Sequence, residues 1–113
     1  MYIYVELWKF RQAWLDLSVD ERRAFMDNIG SQIQNLLDEG VESLAFAYND
    51  DETPHPSGYD YIAVWKIPNK DLVEKFEKTV EDSGFHNYHE QVNARGPMVD
   101  LGPMINQHVE LKR

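Results

Sequence analysis

A chain of 113 residues has room for one compact domain with one modest core, and none for a second. Twenty acidic residues against eleven basic ones leave a formal charge of −9, which repels phosphate backbones and anionic bilayer surfaces, so neither nucleic acid nor membrane is an expected partner. There is no cysteine, which excludes disulfides, thiolate metal sites and thiol catalysis together.

No basic segment followed by an apolar one opens the chain, and no apolar run approaches the ~20 residues of a membrane helix. The expected compartment is therefore the cytoplasm. Tyr2 to Phe10 (YIYVELWKF) reads as a central strand. Its alternation sets Ile3, Val5 and Leu7 on one face, expected to lie under helices, and Tyr2, Tyr4, Glu6, Trp8 and Phe10 on the other. Arg11 to Leu17 is a short connection carrying Trp14. Ser18 to Glu21 matches a capping box, and Phe25, Met26, Ile29, Ile33, Leu36 and Leu37 then recur at helical spacing as far as Glu39-Gly40.

Val41 to Tyr48 is a second strand, and the acidic, proline-bearing stretch Asn49 to Gly58 an exposed hairpin loop. Tyr59 to Ile67 mirrors the first strand: Tyr59, Tyr61, Ala63 and Trp65 face one way, Ile62 and Val64 the other. Asn69 caps a second helix striped by Leu72, Val73, Phe76 and Val80, with Asp71–Lys75 and Glu74–Lys78 as supporting pairs on its solvent face. Phe85 to Arg95 reads as a fourth strand. Two Gly-Pro-Met runs, Gly96 to Met98 and Gly102 to Met104, are expected to be turns, and in the tail, residues 97–113, Gln107 to Leu111 is expected to be a short edge strand or an arm on a partner chain.

The order strand, helix, strand, strand, helix, strand predicts an α+β ferredoxin-like βαββαβ domain over residues 1–96. Both helices should cover one face of a four-stranded antiparallel sheet. On the predicted faces Tyr2, Tyr4, Trp8, Phe10, Tyr59, Tyr61 and Trp65 would form an uncovered aromatic patch of several hundred Å², on the order of the largest that soluble monomers expose. A base-stacking sheet would cover such rings with RNA but needs basic residues beside them, which so acidic a chain lacks. A second copy of the sheet, packed face to face as a two-fold dimer, is the expected covering.

With YVELWK at Tyr4 to Lys9, IAVWKI at Ile62 to Ile67 and QVNARG at Gln91 to Gly96, the chain resembles the dimeric α+β-barrel proteins. These include antibiotic-biosynthesis monooxygenases, haem-degrading monooxygenases and stress-responsive barrel proteins, and within them the likeness is nearest to a small uncharacterised bacterial family. The resemblance implies the fold and the homodimer. In the haem-degrading members a strand-one Asn, a strand-three Trp and a helix-two His organise the site. Trp65 matches the Trp, Glu6 stands in the Asn position, and the second helix holds no His, so no haem or other cofactor is expected.

Glu6 is the sharpest chemical candidate, since a carboxylate among Tyr4, Trp8 and Tyr61 would lose hydration and become a base near neutrality. The alternative is a structural Glu6 paired with Arg95 or bonded to a tyrosine. His89, Gln91, Asn93 and Arg95 share one face of the fourth strand, lining either a polar pocket or a solvated edge. His86 and His89 point to opposite faces of that strand, and Asp50, Asp51, Glu52 and His55 lack ligand spacing, so no metal is expected.

Two functions remain open. One is a small-molecule site in each subunit, cofactor-independent and monooxygenase-like, for an aromatic or polyketide-like compound. In it Glu6 is the base, Arg95 or Asn93 polarises an oxygen, and Tyr4, Trp8, Tyr61, Trp65, His89 and Gln91 bind the substrate. The other is a non-catalytic dimeric barrel that binds a ligand or a protein.

Overall fold

A computed structural model describes residues 1–112. Strand β1 spans Tyr2–Phe10, followed by one helical turn, α1 (Gln12–Leu15), and the long helix α2 (Val19–Asp38). Strands β2 (Glu42–Tyr48) and β3 (Tyr61–Ile67) come next, then helix α3 (Lys70–Asp82), the turn α4 (Phe85–Tyr88), strand β4 (His89–Pro97) and helix α5 (Leu101–Val109). The strands form one antiparallel sheet in the order β2-β3-β1-β4, which places β1 and β3 at the centre as their apolar alternation requires. The α+β ferredoxin-like class is as expected from the order of elements.

Both long helices start where the side chains dictate. The Ser18 hydroxyl accepts from the Glu21 amide at 3.1 Å while the Glu21 carboxylate accepts from the Ser18 amide at 2.9 Å, a complete capping box at α2. Asn69 accepts from the Leu72 amide at 2.9 Å at the start of α3. The solvent face of α3 is pinned differently from the expected pairs: Lys75 reaches Glu39 at the end of α2, and Lys78 bridges to Asp82.

The faces of the sheet are the reverse of the expected ones. Residues paired across strands share a face, and Tyr4 opposite Trp65, and Tyr2 opposite Ile67, lie under the helices. The core is Tyr4, Ala63, Trp65 and Ile67 from the sheet, Val41, Leu36 from α2, and Leu72, Val73 and Phe76 from α3. Ile3, Val5, Leu7, Ile62 and Val64, expected beneath the helices, lie instead on the open face, joined there by Val92 and Ala94. The physical reason is that both alternating sets are apolar. A period of two tells which residues share a face but not which face the helices take, and here the larger rings fill the gap beneath them. The uncovered patch is therefore aliphatic rather than aromatic.

Two further expectations change. Phe85 to Tyr88 is a helical turn entered through Gly84 at φ 84°, a left-handed conformation that glycine adopts without strain, so β4 starts only at His89. The tail is helical rather than an edge strand. Pro103 falls in the first turn of α5, where a missing N–H leaves no hydrogen bond unmade, and Leu101, Met104, Ile105 and Val109 all stand in solvent.

The Cα radius of gyration is 16.4 Å, against about 13 Å for a self-contained domain of this length. Helix α5 is exposed along its length, and a cleft lies between α2 and the sheet. Strand β2 is exposed along its whole length and carries a break in register between Ser43 and Ala45.

Candidate functional site

The cleft encloses about 240 Å³ between α2, α3 and the covered face of the sheet. Its walls are apolar, with Met26, Ile29 and Ile33 from α2 opposed to Phe46, Ala63, Trp65 and Trp8 from the strands, and Val80 and Phe85 closing one end. Gly30 opens the helix wall, since a Cβ there would meet nothing within 4 Å. Thr79, Ser83 and Gln32 supply neutral polar atoms, and Glu6 is the one charged side chain of the lining.

Glu6 sits mid-strand on β1, between Ala63 of β3 and Asn93 of β4, and is only 6% exposed. Its Oε1 accepts from the Trp65 indole N–H at 2.6 Å, and its Oε2 from the Gln91 amide at 2.7 Å. Gln91 donates also to Asn93 Oδ1 at 2.7 Å, and its Oε1 lies 3.0 Å from His86 Nε2, which must carry the proton because an amide oxygen can only accept. The other nitrogen of His86 lies 3.5 Å from Glu81. Burial holds the Glu6 carboxyl above its ordinary pKa; the bonds from Trp65 and Gln91 and the nearby His86 offset part of this.

Glu6 and Val80 also line a second, polar space of about 280 Å³ with Tyr4, Glu77, His86, Gln91 and Asn93. The buried carboxylate thus separates an apolar compartment from a polar one.

The remaining predicted residues are distributed around this centre. Trp8 and Trp65 line the apolar cleft, while Tyr61 packs against Trp8 at a tilt of 31°, with ring centroids 4.4 Å apart. Arg95 does not pair with Glu6; its guanidinium meets Glu77 at 2.9 Å, and the same carboxylate accepts from the Tyr4 hydroxyl at 3.0 Å. The register explains this, because Arg95 lies opposite Tyr4, one residue pair along the same face from Glu6 and its partner Asn93. Burial, then the Glu77 contact, pushes the Tyr4 phenol far above its usual range.

His89 is buried against Phe85, ring on ring at 4.0 Å, with Nδ1 3.1 Å from the Phe85 carbonyl, an edge contact from Trp8 and a tilted one from Trp14. Burial lowers its pKa. The polar face of β4 is thus divided: His89 is inside, Gln91 half-buried, Asn93 and Arg95 outside. Sequence reasoning missed Phe46, Thr79, Ser83 and Glu77, and it read His86 as pointing away on a strand. The i,i+3 spacing of Thr79 from the core residue Phe76, and of Ser83 from Val80 packed against it, was the available signal for those two. Among the described residues no three His, Asp or Glu side chains converge, and no helix is long and apolar enough to cross a membrane.

The sheet order and the helices on one face define a ferredoxin-like α+β protein. The chain belongs to the family of unknown function DUF6616, whose model matches residues 1–111. Among solved structures it is similar to a candidate chlorite dismutase, at 17% identity and a TM-score of 0.71 over 93% of this chain but only 47% of the other. The chain therefore spans about half the length of that protein. It is also similar to a dimeric ferredoxin-like protein of unknown function from Thermobifida fusca, at 10% identity and a TM-score of 0.51, covering 86% of this chain and 90% of the other. A hypothetical Arabidopsis thaliana protein aligns at 16% identity and a TM-score of 0.49, over 88% and 91%. No curated protein matches the chain.

Proposed function

We propose that this protein is a homodimeric α+β barrel whose subunits each hold a small aromatic or polyketide-like molecule in the cleft between α2 and the sheet, in the cytoplasm. The observation that carries the reading is Glu6: a buried carboxylate at the wall of an apolar cavity, held by two neutral donors and by no cationic side chain. Structural carboxylates buried in this way are ordinarily paired with a cation. One that keeps lone pairs free and a raised pKa suits proton abstraction from a bound ligand.

In this reading Glu6 is the base. Trp65 and Gln91 orient it, Trp8 and Phe46 wall the ring system, and Asn93 and Gln91 connect the base to the polar compartment. Arg95 and Tyr4 act at one remove, by fixing Glu77. A cofactor-independent, monooxygenase-like reaction, and with it kinship to the antibiotic-biosynthesis monooxygenases and stress-responsive barrels, is the form of catalysis that the motif resemblance favours. The candidate chlorite dismutase contributes its fold and nothing of its chemistry. Glu6→Gln tests the reading: the variant should stay folded and lose turnover of any compound the wild type converts. Unchanged turnover would remove Glu6 from the chemistry.

The dimer rests on the open face. Ile3, Val5, Leu7, Ile62 and Val64 lie there with Val92, which is 46% exposed, and the apolar residues of α5 project from one margin as an arm for the second copy. Apart from Lys66 opposite Ile3 and the Lys9–Glu90 pair at one end, this surface is apolar, and such a surface is what a face-to-face sheet pairing hides. A binding role without catalysis has its own support, since both carboxylate oxygens of Glu6 are already engaged.

A further inference from the structure

We infer that the polar end of the ligand is a cation, an aromatic or otherwise apolar amine in its ammonium form, with Glu6 as its counter-ion and the tryptophan and phenylalanine rings of the cleft around it. The inference rests on the small-molecule reading above and does not require catalysis. Its basis is the composition of the wall. Of the residues that line the cleft, Glu6 alone carries a formal charge, and there is no Lys, Arg or His to meet an anion. Trp8, Phe46, Trp65 and Phe85 add four aromatic rings, whose faces carry negative potential and attract ammonium groups.

An anionic ligand entering this cavity would meet an unneutralised carboxylate in a medium of low polarisability, the arrangement that electrostatics penalises most. A neutral alcohol or phenol could donate to Glu6 but would leave its charge buried. An ammonium group neutralises that charge, fills lone pairs left after Trp65 and Gln91 have donated, and gains from the rings. The Thr79 hydroxyl, which donates to the Lys75 carbonyl, keeps its lone pairs free in the same cleft. The charge of −9 over the whole chain draws cations towards the protein before they reach the cleft.

Three ligands of one shape separate the possibilities: 1-naphthylmethylamine, 1-naphthylmethanol and 1-naphthoate, titrated at pH 7 by calorimetry and by tryptophan fluorescence. The amine should bind about ten-fold or more tighter than the alcohol, the size of one desolvated cation–π or charge contact, and the carboxylate weakest. In Glu6→Gln the preference for the amine should vanish while the affinity for the alcohol persists, which also shows that the variant is folded. Equal binding of all three, or tightest binding of the alcohol or carboxylate, overturns the cationic ligand and leaves the small-molecule cleft standing. Binding of none of them removes both.

Discussion

The indole N–H of Trp65 and the carboxylate of Glu6 meet at 2.6 Å although 59 residues separate them in the chain, and both groups are buried. Trp65→Phe keeps an aromatic side chain, though a smaller one, and deletes the donor. The loss of one charge-assisted hydrogen bond, together with the space left by the smaller ring, should lower stability by about 2 to 4 kcal/mol. Urea denaturation at pH 7 measures it, and a change under 1 kcal/mol would mean that the bond is not made in solution.

The raised pKa of Glu6 has a defined signature in stability. A carboxyl that is harder to ionise folded than unfolded carries no penalty well below its ordinary value of 4.5. The penalty grows as pH rises from there through the raised folded value, and is constant above it. Glu6→Gln removes this contribution, so the stability of the variant relative to wild type should improve as pH rises from about 4.5 towards neutrality. Parallel curves for the two proteins would contradict it.

His89 carries the opposite sign. A histidine whose folded pKa is depressed resists protonation, so stability is intact above its ordinary value of 6.5 and falls as pH drops below it. The His89 ring proton followed by NMR should titrate below 6.5. A midpoint above that value would show that the stack on Phe85 opens in solution.

The aliphatic open face makes a prediction about assembly. Native mass spectrometry should give twice the 13.3 kDa chain mass, and Val64→Asp, which puts a charge in the middle of that face, should return the protein to 13.3 kDa. A wild-type monomer at micromolar concentration would leave the open face without its proposed partner.

Gly30 offers a gain rather than a loss. It lies inside α2, where glycine is less favourable than alanine by roughly 1 kcal/mol, and a Cβ there meets no atom. Gly30→Ala should therefore raise stability by up to about 1 kcal/mol. A drop on thermal or urea unfolding would show that the cleft narrows at this point.

What could be read from the chain depended on whether a local rule was decisive. Ser18 with Glu21, and Asn69 before Leu72, announce helix starts through side-chain chemistry that works within one turn, and both are formed. Glu6 and Trp65 could be placed on one face by counting in twos. The choice of face could not, because Ile3-Val5-Leu7 and Tyr2-Tyr4-Trp8 are both apolar and only the packing of Phe76 and Leu36 distinguishes them. Pro103 was read as a turn because its tolerance in a first helical turn depends on where the helix begins, two residues upstream at Leu101. The pairing of Arg95 with Glu77 rather than Glu6 joins β4 to α3, a contact that no spacing rule within one element can supply.

The shift in register at Ser43 and Ala45 reaches beyond the single molecule. Strand β2 forms one lateral border of the sheet, and an uninterrupted border offers a ladder of amides and carbonyls on which further copies could grow without limit. A kink in that ladder spoils the template, so this border resists the addition of a further strand from another copy.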